Sequence, residues 1–197
     1  AGSICGTNNG TIVGCINAAQ IVGSVETAGG ICGLNSAGGR IIGCLNTGNI
    51  PTGNILGGIC GENQSTTESA VTSNVSTGML NSEATQLGGI CGTSVPTTAA
   101  VFNTSFWLVG SAERAVGSTE YAVGSNNAGL NDCSALDPIE LRASPNGATP
   151  TEAIALPVVR LNKAMEDGYP QWAALYRFVN DRVATGITWP APVKVQP

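Results

Sequence analysis

The sequence predicts an all-β protein, a parallel β-solenoid (β-helix) of about four repeats of roughly 28–30 residues with a small α+β cap at its C-terminus. Three observations predict this fold class. The pentapeptide Gly-Gly-Ile-Cys-Gly occurs at residues 29–33, 57–61 and 88–92, and a near copy occupies residues 2–6. Short runs rich in Ile, Val and Thr, bounded by Gly and Asn, follow these copies. The chain is 11% charged and 42% apolar, which indicates a folded β protein with tight turns and not a disordered chain.

The period of the repeat follows from the pentapeptide cysteines, which are 27, 28 and 31 residues apart. A second phrase comes after each pentapeptide. Residues 11–17 match residues 40–46, whereas residues 70–76 are a looser copy and residues 101–107 are a degenerate, aromatic one. A period near 28 residues with two or three short strands is typical of one solenoid coil, whose strands pair with copies about 4.8 Å above and below.

Stacked coils place equivalent residues directly above one another, so two inward apolar ladders are expected. We expect the first ladder to consist of Ile4, Ile31, Ile59 and Ile90, and the second of Ile12, Ile41 and Val71. Glycines and asparagines are expected to supply the corners, where φ is positive. The inserts at residues 64–69 and 94–98 are expected to be loops, and the aromatic fourth repeat (Phe102, Phe106 and Trp107) a plug at one end.

The repeat resembles the GLUG repeat, in which Gly-Gly-Ile-Cys-Gly-x-Asn is followed by Gly-x-Ile-x-x-Cys-x-Asn-x-Gly. The resemblance covers roughly residues 1–110, and residues 105–108 (Ser-Phe-Trp-Leu) are similar to the Cys-Tyr-Trp-Leu that often closes such an array. GLUG repeats occur in large surface proteins of gut Bacteroidetes and beside some Gram-positive IgA-type metallopeptidases. The resemblance therefore implies an extracellular or cell-surface protein, and since the chain begins inside a repeat we expect it to be a fragment or a mature product.

The segment after the array is predicted to finish the solenoid with short strands and loops over residues 111–148. Turns are predicted at residues 137–138 and 144–147. Residues 1–148 are therefore assigned to the solenoid and residues 149–197 to the C-terminal cap.

Helix signals mark the start of the cap. Thr149, Pro150 and Glu152 form a capping box with Pro at the first helical position. A second helical set at residues 158–165 is expected to end at Gly168, and helical spacing continues through Trp172, Leu175, Val179 and Val183. The Leu161-Asn162 pair, Trp172 and residues 186–190 resemble the tail that follows GLUG arrays, with Trp189 where Tyr is usual, which implies a final strand.

Seven cysteines leave two interpretations open. Disulfides would pair Cys5 with Cys15 and Cys32 with Cys44, but Cys60 is then opposite Asn74 and Cys91 opposite Ser105, and Cys133 has no partner. Parallel side chains on stacked strands would also strain a bridge between coils. The favoured interpretation is a ladder of buried free thiols. Zinc is disfavoured because the chain has neither a Cys-x-x-Cys pair nor a histidine.

Catalytic chemistry finds little support in the sequence. The chain has no histidine, which excludes Ser-His-Asp, Cys-His and His-Glu-x-x-His sites. The array holds five charged residues, which are scattered and are expected to be solvated: Glu26, Arg40, Glu62, Glu68 and Glu83. The adjacent pairs Glu166-Asp167 and Asp181-Arg182 are expected to have surface or helix-dipole roles.

Binding is the better-supported class of function. Trp107, Trp172 and Trp189 are expected in the core or cap rather than stacked on sugars. Asparagines in turns (Asn8-Asn9, Asn35 and Asn126-Asn127) would form either a wet binding face or plain solenoid corners.

We therefore expect a non-enzymatic, cell-surface scaffold or adhesin-like module that binds a host glycan or an extracellular protein, with no cofactor and no metal. The alternatives are an accessory spacer of a secreted peptidase and a carbohydrate-active β-helix. Nucleic-acid binding and membrane insertion are not expected, because the net charge is -5 and no apolar run reaches the ~18 residues that cross a bilayer.

Overall fold

A computed structural model describes residues 1–95, 101–117, 132–143, 149–180 and 189–196. It confirms the fold class: short parallel strands from successive repeats stack into a β-solenoid of about four coils. The strands form three parallel sheets that run the length of the stack, and a separate two-stranded antiparallel hairpin lies near the C-terminus.

Each coil contributes strands to the three sheets. Coil 1 contains β1 (Cys5–Asn8), β2 (Thr11–Val13) and β3 (Ile16–Asn17). Coil 2 contains β4 (Thr27–Gly29), β5 (Cys32–Asn35), β6 (Arg40–Ile42) and β7 (Leu45–Asn46). Coil 3 contains β8 (Ile55–Gly57), β9 (Cys60–Asn63), β10 (Val71–Thr72) and β11 (Val75–Ser76). Coil 4 contains β12 (Gln86–Ser94), β13 (Phe102–Asn103) and β14 (Phe106–Leu108).

Two more strands continue the stack past coil 4. β15 (Arg114–Val116) pairs with β12, and β16 (Ser134–Leu136) pairs with β14. The aromatic fourth repeat is therefore not the last layer on these two sheets. Phe102, Phe106 and Trp107 are completely buried, and β16 lies directly on the strand that carries two of them.

The two predicted apolar ladders are confirmed. Ile31, Ile59 and Ile90 are fully buried in one ladder, and Ile41 and Val71 pair in register in the other. Ile4 is 45% exposed because coil 1 has no coil above it in the described structure. Stacking a coil on this position therefore removes nearly half of the side-chain surface of an isoleucine from water.

The glycines of the pentapeptide are required for close packing between coils. A Cβ atom on Gly29 would lie 2.4 Å from the backbone nitrogen of Gly61 in the next coil, and one on Gly57 would lie 2.6 Å from that of Gly92. A Cβ on the following glycine, Gly30, would lie 2.3 Å from the side chain of Asn46. The expectation that glycines supply positive-φ corners is confirmed at other glycines, such as Gly14 and Gly43, but not at those of the pentapeptide, whose φ angles are not positive.

One column of corners with positive φ lies between β2 and β3 in coil 1 and at the equivalent place in the other coils, between β6 and β7, β10 and β11, and β13 and β14. Gly14 and Gly43 occupy this position with φ of 64° and 63°, and Ser73 and Thr104 follow with 54° and 34°. Among the described residues no asparagine has a positive φ, so the expectation that asparagines supply positive-φ corners is wrong. Coils 3 and 4 keep the same corner geometry although they have Ser73 and Thr104 in place of glycine, because the flanking strands hold the backbone there.

The C-terminal segment is an α+β unit, as expected. It contains α2 (Pro150–Ala155), α3 (Pro157–Gly168), α4 (Pro170–Ala173) and the hairpin of β17 (Tyr176–Val179) with β18 (Ala191–Lys194). The predicted capping box at Thr149 is present, and the second helix ends at Gly168 as predicted. The predicted final strand is β18.

Three local predictions are corrected or lie outside the described residues. The helical spacing from Trp172 to Val179 is wrong beyond α4, because residues 176–179 pair with β18. The predicted turn at residues 137–138 is the start of α1 (Pro138–Leu141), for which Asp137 forms a capping box. The predicted turn at residues 144–147 and the position of Val183 lie outside the described residues.

The C-terminal segment lies along a side of the solenoid. Its apolar residues join those on the flank of the array in one buried cluster that includes Ile42, Leu45, Val75, Phe106, Leu161, Met165 and Phe178. The positive-φ corners lie beneath it: a Cβ on Gly14 would meet Tyr176, and one on Gly43 would meet Met165. Ser73 Oγ donates to the carbonyl of Leu161 at 2.9 Å. The corner column is thus the docking seam for the helices.

Candidate functional site

Two carboxylates of the array hydrogen-bond to amide side chains. Glu26 accepts a hydrogen bond from Asn54 at 2.9 Å, and Glu62 accepts one from Gln64 at 2.8 Å. Across the described parts of the chain, no three residues of His, Cys, Asp or Glu cluster as a metal site would require. Glu26 is exposed and Glu62 is partly exposed, which agrees with the expectation that these carboxylates lie at the solvated surface.

Two of the charged residues do meet, at an anchor point of the helices. Arg40 and Glu68 both lie near the phenol of Tyr169, whose Oη donates to the carbonyl of Ser69 at 2.9 Å. Burial raises the pKa of Tyr169. This arrangement ties the end of α3 to coils 2 and 3, and the sequence spacing gave no sign of it. Of the C-terminal pairs, Glu166 is exposed, Asp167 pairs with Lys163, and residues 181–182 lie outside the described residues.

The tryptophans are core residues, as expected, so far as the structure describes them. Trp107 is fully buried and its indole N–H donates to the carbonyl of Ala112 at 2.8 Å. Trp172 and Trp189 are partly buried against the C-terminal cluster. The guanidinium of Arg142 lies 4.0 Å from the ring centre of Trp189, which occupies a ring face that a sugar would need.

The asparagines of the repeat lie inside the solenoid, not in a wet face. Asn8 Nδ2 donates to Asn35 Oδ1 at 2.8 Å, Asn35 Nδ2 donates to Asn63 Oδ1 at 2.9 Å, and Asn63 Nδ2 donates to Ser94 Oγ at 3.2 Å. A second ladder joins Asn17 to Asn46 at 2.8 Å. These five asparagines are buried, and only Asn9 of the predicted turn residues is exposed, while residues 126–127 lie outside the described residues. The wet-face interpretation of Asn8 and Asn35 is therefore wrong. The corner interpretation agrees with the structure, because each asparagine ends a strand and hydrogen-bonds across the turn that follows, Asn8 to Gly10 and Asn35 to Gly39.

A shallow groove crosses the turns that follow β3, β7 and β11, in coils 1, 2 and 3. Its volume is about 340 Å³. It is lined by Gln20, Asn49, Pro51, Met79, Leu80, Asn81 and Ser82. Stacking orders these turns, because Asn49 Oδ1 accepts from the backbone N–H of Met79 at 2.9 Å and Ile50 N–H donates to the carbonyl of Met79 at 2.8 Å. No charged side chain lines the groove.

The groove offers a specific set of chemical groups. Gln20, Asn49 and Asn81 supply amides, which both donate and accept hydrogen bonds, and Met79 is 50% exposed beside Pro51. Such a surface suits a ligand with hydroxyl or amide groups and an apolar face. The sequence predicted no groove here, because the three turns share no common residue pattern: Gln20 and Asn49 stand three residues after β3 and β7, but Met79 has this place after β11.

All seven cysteines are free thiols, as the ladder interpretation predicted. Cys5, Cys32, Cys60 and Cys91 stand in register in one row. We call this row the four-thiol row. A second row starts with Cys15 and Cys44, which precede the paired residues of β3 and β7, and continues through Asn74 and Ser105 to Cys133. The seventh cysteine, Cys133, therefore occupies the fifth position of the second row, although no partner for it was predicted.

The thiols differ in acidity. The neighbouring thiol of Cys44 lowers the pKa of Cys15 to about 7. Burial raises the pKa of Cys44 and of Cys60, and it raises that of Cys133 to about 12. The pKa of Cys32 is also raised, mainly by its interaction with the neighbouring thiol of Cys60 and to a smaller extent by burial. Cys15 is also only half-buried, so it is the thiol best placed to react with a reagent in solution.

Among the described helices, none has both the length and the apolar character needed to cross a bilayer. In comparisons with known proteins, the chain matches no family model, no curated protein and no solved structure.

Proposed function

We propose that this chain is a non-enzymatic, extracellular scaffold whose side carries an adhesin-like binding surface for an uncharged host glycan or extracellular protein. The observation that carries the proposal is the groove over the turns of coils 1, 2 and 3, which is lined by amides and apolar groups without a charge. Amides pair with hydroxyl and peptide groups, and the exposed Met79 and Pro51 give contact area for apolar carbon.

A solenoid suits this role because its backbone is continuous and its surfaces repeat. Buried asparagine ladders and in-register strands hold the turns of neighbouring coils at fixed positions. A ligand that lies across several turns meets preformed groups, so less conformational entropy is lost on binding. Binding of this kind depends on contact along an extended face and on several contacts at once.

Two features of the sequence support the non-enzymatic, cell-surface part of the proposal. The chain has no histidine and few charges, so the usual acid–base and nucleophilic pairs are scarce. Its repeat also resembles GLUG, which occurs in surface proteins of gut Bacteroidetes. A rigid stalk in such a protein would display its side to glycans or proteins of the host.

The test is binding of the purified chain to immobilised uncharged glycans and extracellular-matrix proteins. A groove variant, Gln20→Ala with Met79→Ala, removes one amide and one apolar side chain without removing a described side-chain hydrogen bond of the turns. The matched control, Asn9→Ala with Ile154→Ala, removes an exposed amide and an exposed apolar side chain elsewhere.

We expect binding that the groove variant weakens and the control variant leaves unchanged. Absence of binding to every immobilised ligand would contradict the adhesin part of the proposal. Binding that both variants retain equally would place the ligand on another surface.

A further inference from the structure

The first two cysteines of the second row form a separate pair. Cys15 and Cys44 stand on adjacent coils, and the next position of the row is Asn74, whose Oδ1 accepts from the backbone N–H of Cys44 at 3.0 Å. The row therefore offers two neighbouring sulfurs and then an amide. Each cysteine of this pair has at most one neighbouring thiol, whereas Cys32 and Cys60 of the four-thiol row each have two.

The two thiols of the pair point in the same direction. Cys15 Sγ lies 3.5 Å from the carbonyl oxygen of Val13, and Cys44 Sγ lies 3.4 Å from the equivalent oxygen of Ile42. Because both side chains run parallel on stacked strands, their sulfurs are separated by roughly the strand spacing of about 4.8 Å. The two thiols are close enough to influence each other, since Cys44 lowers the pKa of Cys15.

This separation distinguishes a bridging metal ion from a disulfide. A disulfide requires an S–S bond of about 2.05 Å and Cβ atoms about 3.5–4.5 Å apart, which parallel side chains at the strand spacing do not reach. A cation between two thiolates, with metal–sulfur bonds of about 2.3 Å as zinc forms them, spans about 4.6 Å when the three atoms are in line. The pair therefore fits a linear sulfur–metal–sulfur unit without movement of the strands.

The surroundings select the kind of cation. Thiolates are soft ligands, and hard cations such as Mg²⁺ and Ca²⁺ prefer oxygen. Within residues 1–50 the only charged side chains are Glu26 and Arg40, so this part of the chain offers a single carboxylate. Zinc would need about four ligands, and the described residues offer no group of three. A soft cation that is satisfied by two ligands remains.

We propose that Cys15 and Cys44 bind one soft monovalent d¹⁰ cation, of the Cu(I) or Ag(I) class, between their sulfurs. Binding converts two thiols and one M⁺ ion into a bis-thiolate complex of charge −1 and releases two protons to solvent. No oxidation occurs in this step. The ion enters from coil 1, where Cys15 is half-buried, while Cys44 is fully buried behind it.

The four-thiol row provides the matched comparison. Its first two members, Cys5 and Cys32, belong to the same two coils and have the same exposure order, half-buried then buried. Their sulfurs, however, lie 2.9 and 3.2 Å from the carbonyl oxygens of Thr7 and Leu34, closer than those of the proposed pair. These thiols are held more firmly by the backbone, so we expect them to bind a cation more weakly.

The test uses Cu(I) under anaerobic, reducing conditions, with bicinchoninate as the competing chelator. We expect the unmodified chain and the C5S/C32S variant to bind one tight equivalent, and the C15S/C44S variant to bind about 10-fold or more weakly at that step. X-ray absorption of the one-equivalent complex should show two sulfur neighbours around copper. Equal affinity in the C15S/C44S and C5S/C32S variants would overturn the proposal.

A second measurement does not depend on the folding of a variant. The unmodified chain is loaded with one equivalent of Cu(I), treated with iodoacetamide and analysed by peptide mass spectrometry. We expect loading to protect Cys15 while Cys5 is alkylated as in the unloaded chain. Protection of Cys5 instead of Cys15, or a Cys15–Cys44 disulfide seen as a loss of two hydrogens in the untreated chain, would refute the proposed site.

Discussion

The interior asparagine ladder is predicted to be a main source of stability, and Asn35 is its best test. Asn35 is completely buried and accepts a hydrogen bond from Asn8 at 2.8 Å. Its own Nδ2 donates to Asn63 Oδ1 at 2.9 Å and to the carbonyl of Gly39 at 3.1 Å. The change Asn35→Ala therefore removes three side-chain hydrogen bonds from the interior.

The expected loss follows from these three bonds. Each contributes about 1 kcal/mol net, and a buried partner left without a hydrogen bond adds roughly 1–3 kcal/mol. Asn63 Oδ1 keeps only a long bond from Ser65 N–H, at 3.4 Å, so it is largely unsatisfied in the variant. We expect Asn35→Ala to lower the free energy of unfolding by about 4–6 kcal/mol.

The assay is urea unfolding followed by the fluorescence of the chain, together with alkylation of Cys32 at low urea. The second probe is needed because solenoid stability is a sum over neighbouring coils, so coils near the lesion can open alone. The control is Asn54→Ala, which removes an exposed amide that donates to Glu26 at 2.9 Å and should change stability by less than about 0.5 kcal/mol. If Asn35→Ala costs no more than Asn54→Ala, the ladder does not stabilise the fold as argued.

Three further predictions test packing and thiol chemistry. Ile31→Ala should lower the free energy of unfolding by about 2–5 kcal/mol and Ile4→Ala by about half as much, because Ile31 is fully buried whereas Ile4 is 45% exposed; equal urea midpoints would contradict this. Trp107→Ala should cost about 3–5 kcal/mol in the same assay, since it empties a fully buried site and leaves the carbonyl of Ala112 without its donor; a milder loss than for Ile31→Ala would be against it. Alkylation of Cys15 should accelerate as the pH rises through about 7, where its thiolate becomes the major form. Buried Cys133, with its pKa near 12, should react only after unfolding. A Cys15 alkylation rate that does not change over this pH range would contradict the lowered pKa.

The apolar ladders and the array of coils were predictable because a fixed period leaves a direct trace in the sequence. Stacked strands must repeat their inward residues, so Ile31, Ile59 and Ile90 could be placed before the structure was known. The buried position of Asn35 was missed because asparagine is typical of turns. An asparagine three residues after the pentapeptide cysteine in coils 1, 2 and 3, with Ser94 in coil 4, was nevertheless a signal of an interior ladder, since repeated burial favours the same polar side chain in successive coils.

The groove over the turns of coils 1, 2 and 3 could not be predicted in the same way. The shape of the groove depends on the turns after β3, β7 and β11. These turns are held by backbone hydrogen bonds between coils, such as the one from Ile50 N–H to the carbonyl of Met79. The turns differ in sequence, so no ladder marks them. The docking seam of the helices was equally hidden, because Gly14 and Gly43 look like ordinary turn glycines until Tyr176 and Met165 are found above them.

The seventh cysteine shows how a coil can persist after its sequence repeat has disappeared. Cys133 precedes β16, whose Ser134 pairs with Phe106, so it stands where Cys15 and Cys44 stand in coils 1 and 2. The pentapeptide is absent there, and β15 pairs with β12 only across a shift in register. Parallel strand pairing is made by backbone groups, which every sequence supplies, so the ladder of strands continues with unrelated side chains. The sequence repeat therefore ends before the solenoid does, and a count of pentapeptides underestimates the number of strand layers.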